Sequence, residues 1–327
     1  MNIPIKPQKI LFLCLATVTS LILILASCTK APPPPLRVAT NVWPGYETLY
    51  LARSLGYYEN TPIKLIDYPS GTEEVRAYRN GEVEAAGISI DQALALATTN
   101  PDVRLIVVMD ASHGGDAILS KPEIKNIQAL KGRPVGVEST ALGAFIITRA
   151  LEQNGMSPQD IKIVSLTVSE HESAYKKGTV DAVVTFGPAY SNLLSDGAKK
   201  LFDSSQIPGE ILDVLIVRKS VIDSQLEAVR ALVSGRFRAL DYLLKNTPDA
   251  ARRIAPRTGV TPEQFLESLK GLRQPSLQDN QKLLGKTDPS LSTTITRLSK
   301  LMVDKKLLNQ QIDPTSILDD RIVKALP

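Results

Sequence analysis

Three segments decide the reading of this chain: Asp-Ala-Ser-His-Gly-Gly-Asp at 110–116, the apolar Ala117–Leu119, and Leu-Lys-Gly-Arg-Pro-Val-Gly-Val-Glu at 130–138. An apolar strand at Val103–Met109 runs into the first segment. Gly114 and Gly115 free the backbone where a hinge or a close ligand approach would need it. A second α/β unit then begins, and a comparable return comes near Ile211–Lys219. Two such crossings suggest one lobe inserted into another, with a cleft between them of the kind that binds small molecules. Ordinary βα loops in a single domain would give the same spacing.

Working outward, 327 residues suffice for two domains. The formal net charge is +4. Lys6 and Lys9 supply two of those charges from the N-terminal leader, and no basic run follows, so no nucleic-acid partner is expected. The two cysteines are Cys14 and Cys28. With none beyond Cys28, the body has no disulfide, thiolate zinc site or cysteine nucleophile. His113 and His171 are the two histidines, too few for a three-histidine metal site. No metal and no cofactor is expected.

The leader reads as an export signal, with basic Lys6 and Lys9, an uncharged Ile10–Ala26, and Leu-Ala-Ser-Cys at 25–28. That last tetrad resembles a bacterial lipobox, which implies a signal peptide over 1–27 and lipidation of Cys28. The tether at 28–35 contains Pro32–Pro35, a stiff extended stem. A single N-terminal membrane helix is the competing reading, slightly short for a bilayer. Both place the body outside the cytoplasm, facing the periplasm or outer cell surface.

Strands alternate with helices from Leu36 onward, implying a mainly parallel sheet. Strands are expected at Leu36–Thr40, Ile63–Tyr68, Glu84–Ile88, Pro134–Glu138, Ile161–Thr167, Asp181–Phe186 and Ile211–Val217. Trp43-Pro44-Gly45-Tyr46 follows the first strand, at the edge where such sheets take ligands. Ser70, Gly71 and Thr72 open a helix, either as a polar ligand site or as an ordinary cap. From Ser220 the chain reads as mostly helical, at roughly 225–245, 248–255, 262–269 and 291–308.

Together with Trp43–Tyr46, the motifs Leu-Ala-Arg-Ser-Leu-Gly-Tyr-Tyr at 51–58, Arg-Asn-Gly-Glu-Val-Glu-Ala-Ala-Gly at 79–87, Leu-Lys-Gly-Arg-Pro-Val-Gly-Val-Glu at 130–138 and Gly-Thr-Val-Asp-Ala-Val-Val-Thr at 178–185 carry a family likeness. In order and spacing they resemble the substrate-binding proteins of ABC importers, in the group that binds nitrate, sulfonates, taurine and thiamine precursors. The resemblance implies an α/β, two-lobed type II periplasmic-binding-protein-like fold with two crossover strands and a helical C-terminal tail. It implies one lobe from 36–114 plus 218–327 and another from 115–217. It further implies a monomer that closes on a small-molecule ligand for an ABC permease and its ATPase, without catalysis.

Carried over by position, the cleft would be lined by Trp43, Tyr46, Ser70, Gly71, Thr72, Ser89, Asp91, Ser112, Asp116, Glu138, Ser139, Thr140, Glu170, Thr185 and Pro188. The solute expected is small, polar and nitrogen- or sulfur-containing; carboxylates appear in this set and no Lys or Arg does, which suits a nitrogenous one, cationic or pyrimidine-like. Asp91 and Glu138 could instead serve as caps or hinge braces. The competing class is a biosynthetic enzyme on the same fold, of the pyrimidine or menaquinone type.

Overall fold

The computed structural model describes residues 34–138, 141–285 and 290–327. The expected signal peptide, Cys28, most of the tether, and Ser139 and Thr140 lie outside them. No described helix is long and apolar enough to cross a membrane. Residues 35–327 form one compact unit containing two sheets.

The first part of the chain alternates as expected: β1 (Leu36–Thr40), α1 (Glu47–Ser54), β2 (Ile63–Asp67), α2 (Gly71–Asn80), β3 (Ala85–Ser89), α3 (Ile90–Ala97) and β4 (Val103–Ser112). Gly81 ends α2 in the left-handed region at φ 76°, a conformation that costs glycine little. The chain then crosses to β5 (Ala117–Ser120). There follow β6 (Pro134–Glu138), α4 (Ala141–Gln153), β7 (Lys162–Leu166), α5 (Val168–Lys176), β8 (Ala182–Thr185), α6 (Gly187–Ser195) and β9 (Lys199–Asp203). It returns through β10 (Leu212–Arg218) to α7 (Lys219–Ser224), α8 (Leu226–Lys245), α9 (Thr247–Thr258) and α10 (Pro262–Leu269). The tail continues through β11 (Leu272–Arg273), α11 (Leu277–Leu283) and α12 (Ser290–Asp304).

The first sheet has the order β11-β4-β10-β3-β1-β2, and the second β7-β6-β8-β5-β9. β1 runs parallel to β2 and β3, and β6 parallel to β7 and β8, as strands joined by helical crossovers do. The strands that enter and leave the second sheet run antiparallel to their neighbours. β10 lies between β3 and β4, and β5 between β8 and β9. β10 is paired in the first sheet, so the chain passes back from the second sheet between Asp203 and Leu212. β9, β11 and α11 were not anticipated.

Successive strands of the first sheet bury nearly continuous apolar runs, including Val103, Leu105, Ile106 and Val107 of β4 and Val214–Val217 of β10. At Met109 the register slips: Asp213 faces Asp110, but Val214 faces Val108. This β-bulge leaves backbone groups outside the ladder, and buried side chains from the tail take them up. Asn280 accepts from Val108 N at 2.7 Å and donates to Val108 O at 3.1 Å, and the guanidinium of Arg236 donates to Met109 O. The helical tail thereby fixes the direction in which Asp110 emerges.

Candidate functional site

A small cavity lies between the two sheets, beside the crossings. It is lined by Asn41, Trp43 and Tyr46 from the β1–α1 loop, Gly71 and Glu74 of α2, Ser89 and Gln92 at the start of α3, Asp116, Glu138, Leu142, Phe186 and Asp213. About 20 Å³ is open to the centres of water-sized spheres. That is room for one or two waters.

Trp43 donates from Nε1 to both Asp110 oxygens, at 3.3 and 3.1 Å. Its ring meets Phe186, which caps α6 just past β8, edge-on, at 5.6 Å between centroids and 83° between planes. Tyr46 OH donates to Asp213 Oδ1. Across the cavity, Thr72 N donates to Glu138 Oε1 at 3.4 Å, a contact that joins α2 to the end of β6. Gly45 is required where it stands, since a Cβ there would lie 1.7 Å from Asp110 Oδ2.

Electrostatically the cavity is one-sided, with carboxylates and no lysine or arginine lining it among the described residues. Burial pushes Asp110 up to about 7, against the lowering effect of the Trp43 hydrogen bond and with help from the nearby Asp116 charge. Burial also pushes Asp116 up to about 7, opposed by the Ser112 hydroxyl. Asp213 and Glu74 are driven well above the carboxylate range, first by burial and then by neighbouring acids. The guanidinium of Arg236 stands behind Asp110 and is itself pulled down to about 10 by burial. Three carboxylate or amide oxygens of cavity-lining residues, Asn41 Oδ1, Glu74 Oε1 and Asp116 Oδ2, have no hydrogen-bond partner among the described residues, and neither has the Ser89 hydroxyl. Leaving a buried acceptor unpaired costs about 1–3 kcal/mol.

Of the residues expected at the cleft, Trp43, Tyr46, Gly71, Ser89, Asp116 and Glu138 line this cavity, and Thr72 reaches it through its backbone. The others do not. Ser70 caps α2, accepting from Glu73 N at 3.3 Å. Asp91 is buried in the first turn of α3, beside the cavity lining, and burial pushes it up to about 6. Ser112 turns into the crossing and meets Ser204 Oγ at 2.7 Å. Glu170 is exposed and closes a capping box on Thr167, whose N–H donates to it at 2.8 Å. Thr185 contacts His171 Nδ1 at 3.1 Å. Pro188 borders a shallow groove with Val42, Pro44 and Phe265. A wider cleft of about 580 Å³ lies beyond Trp43, bordered by His113, Tyr190, Lys200 and Lys270. Sequence reasoning missed Asn41, Glu74, Gln92, Leu142, Phe186 and Asp213. Asp213 alone carried a signal: an acid opening an otherwise apolar strand. No described group of three or more His, Cys, Asp or Glu residues is arranged to hold a metal.

Two sheets joined by paired crossings around a polar cavity define the periplasmic-binding-protein fold. The chain belongs to the NMT1-like family, which matches residues 29–257, and the resemblance read from the motifs is borne out at that level. A putative aliphatic sulfonates-binding protein of Escherichia coli is 25% identical over 153 residues, covering 46% of this chain and 48% of that protein. The chain thus spans about half the length of that curated relative. The alkanesulfonate-binding protein of Xanthomonas axonopodis, solved bound to MOPS, superposes with a TM-score of 0.73 at 18% identity, over 88% of this chain and 99% of that one. The desulfurization enzyme DSZB, as a C27S mutant with biphenyl-2-sulfinic acid, superposes at 0.66 and 15% identity, over 88% of this chain and 98% of the enzyme. The fold therefore accommodates both binders and enzymes.

Proposed function

We propose that this chain is an extracytoplasmic solute-binding protein that closes its two lobes on a small, donor-rich nitrogenous solute and presents it to an ABC importer. The observation that carries this reading is the cavity's lining: unpartnered buried acceptors on Asn41, Glu74 and Asp116, with no lysine or arginine among the described residues. A guanidinium, amidinium or pyrimidine-like group supplies the missing donors, and a cation also relieves the carboxylate repulsion. A sulfonate, as the relatives' names suggest, would bring a negative charge and acceptor oxygens to a site already rich in both.

The lobes we assign follow the two sheets, 36–114 with 212–327, and 115–211, turning about the two crossings. Ligand contacts from both sides would favour the closed form. The Leu-Ala-Ser-Cys tetrad and proline stem would hold the binder at the membrane through lipidated Cys28, raising its concentration near the permease. Against an enzyme stands the chemistry of the body. It has no cysteine after Cys28, His171 is buried against Thr185, and His113 borders the wider cleft beyond Trp43.

A thermal-shift panel tests the reading, with methylguanidinium, acetamidinium and aminopyrimidines set against ethanesulfonate, MOPS and nitrate. A solute at about 100 times its dissociation constant adds about 2.7 kcal/mol. Stabilisation by the nitrogenous compounds supports the proposal. Stabilisation by the anions alone overturns it, and so does turnover of any bound compound.

A further inference from the structure

Two voids lie back to back beside Trp43. The inner cavity has room for one or two waters. The outer cleft measures about 580 Å³, inside the range of about 300–1,000 Å³ usual for small-molecule sites. Trp43 lines both voids. Asp116 faces the inner cavity and its neighbour Gly115 the outer cleft, and Phe186 and Gly187 divide in the same way. The indole spans this shared wall. Its Nε1 is held by Asp110, and the far end of its six-membered ring abuts Gly115, where a Cβ would lie 3.0 Å from Cη2. Phe186, which meets the indole edge-on, follows β8 of the second sheet, whereas Trp43 follows β1 of the first.

The two voids differ in charge. Carboxylates line the inner one, without lysine or arginine among the described residues. The outer cleft carries two lysines, each with an acid of the same lining beside it. Lys200 Nζ lies 2.6 Å from Asp203 Oδ2, and Lys270 is paired with Glu267. The first pair stands on β9 and the second at the end of α10, so lysine and acid charges cancel on each wall. The serine hydroxyls are also oriented. Ser195 donates to Ser191 O at 2.9 Å, Ser268 to Phe265 O at 2.7 Å, and Ser205 to Asp203. With their protons committed inside the chain, they offer lone pairs to the cleft, while each ammonium keeps N–H donors beyond the one in its ion pair. Donors and acceptors at balanced charge are the complement of hydroxyl groups, which donate and accept at once. An anionic substituent would have to displace Asp203 or Glu267. An apolar one would strip water from the ion pairs without replacing its hydrogen bonds.

We propose that the outer cleft is a second subsite, taking a neutral, hydroxyl-bearing substituent of the solute whose nitrogenous head enters the inner cavity, with Trp43 and Phe186 closing on the join. The solute is then a two-part molecule, donor-rich nitrogen at one end and a short polyol or sugar-like group at the other. The assignment rests on the solute reading above for its head group. Contacts from β9 on one side and α10 on the other make occupancy of this cleft a further bias towards lobe closure.

Titration calorimetry tests the subsite with compounds that keep the head and vary the tail: methylguanidinium, propylguanidinium, dihydroxypropylguanidinium and guanidinopropionate. Cytosine and cytidine repeat the comparison on a pyrimidine head. Within the series whose bare head binds, the hydroxylated member is expected to bind about tenfold tighter, as two or so added hydrogen bonds would give, and the propyl and carboxylate tails to add nothing. Ser191→Phe, which puts a ring into the outer cleft, should abolish the gain and leave the affinity of the bare head unchanged. Should that variant not fold, the double variant Glu267→Ala with Lys270→Ala removes one ion pair with its donors and should cut the gain. An equal gain from the propyl or carboxylate tail, or a gain that survives these variants, overturns the proposal. If the bare heads bind and the hydroxylated tails add nothing, the second subsite falls and the solute reading stands. If none of these compounds binds, both fall.

Discussion

Asp110 of β4 and Asp213 of β10 are register partners on adjacent antiparallel strands, both buried, one held by Trp43 and the other by Tyr46. Like charges directly opposite one another destabilise a sheet. The pair persists because burial raises both acids and the Asp110 charge raises Asp213 further, while a hydrogen bond from Asp213 favours the ionised Asp110, so that they do not ionise together near neutrality. Replacing Asp213 with Asn keeps an acceptor for Tyr46 and removes the repulsion. The expected result is a ligand-free protein about 1–2 kcal/mol more stable at pH 8, measured by urea unfolding, with weaker methylguanidinium binding.

The pH dependence of stability follows from the same groups. Asp110 and Asp116 stand at about 7 when folded, against about 3.9 when unfolded. Between those values the folded chain holds protons that the unfolded chain has released. Their contribution therefore declines as pH rises from about 4 to 7 and is flat above. His171 acts oppositely. Burial holds it near 4, so stability is lost as pH falls from about 6.5 to 4. Denaturation midpoints of wild type and Asp116→Asn, compared between pH 5 and 8, isolate the carboxyl. The variant should lose up to about 1.4 kcal/mol per pH unit of the decline.

Gly45 tests the packing of the site. An added Cβ would displace the Asp110 carboxylate and crowd Trp43 Nε1, which would be 2.9 Å away. Gly45→Ala is expected to cost about 1–3 kcal/mol and to break the Trp43–Asp110 contact. Trp43 is the single tryptophan, so its fluorescence reports the change directly.

Glu138 lines the cavity from the second sheet and accepts from Thr72 N of the first. Glu138→Gln keeps the shape and removes the charge. Titration calorimetry should show methylguanidinium binding weakened about tenfold or more, equivalent to about 1.4 kcal/mol. An unchanged affinity would remove Glu138 from the recognition of charge.

Thr185 separates a structural role from a binding one. Its hydroxyl contacts His171 and is absent from the cavity lining. Thr185→Val should lower stability by about 1 kcal/mol while leaving solute affinity unchanged in the same calorimetric titration.

Much of the fold was legible because its signals are local. Apolar runs bounded by glycine and capping residues marked β1 to β4, β6 to β8 and β10, and Gly114 with Gly115 marked the crossing. β9 was missed because Lys199-Lys200 opens it with exposed charge, as an edge strand allows. Helix-opening residues were placed correctly, but their duties stayed open between cap and ligand contact. Ser70 and Glu170 satisfy backbone donors at helix starts, and a cap and a ligand site share one sequence signature.

The sequence by itself determined the alternation of strands and helices, the crossing after β4, the aromatic loop at Trp43–Tyr46, and a body without cysteine. Only the tertiary structure decided which acids meet. Glu74 lies beside Glu73 on a helix and reads as solvated surface, yet it is buried at the cavity. Asp213 reaches the site because β10 inserts between β3 and β4, and Asp110 is re-aimed beside it by a bulge that Asn280 and Arg236 hold from far along the chain. The physical reason is range: helix, strand and cap preferences act over a few residues. Pairing register, burial and the resulting charge states depend on partners more than a hundred positions away.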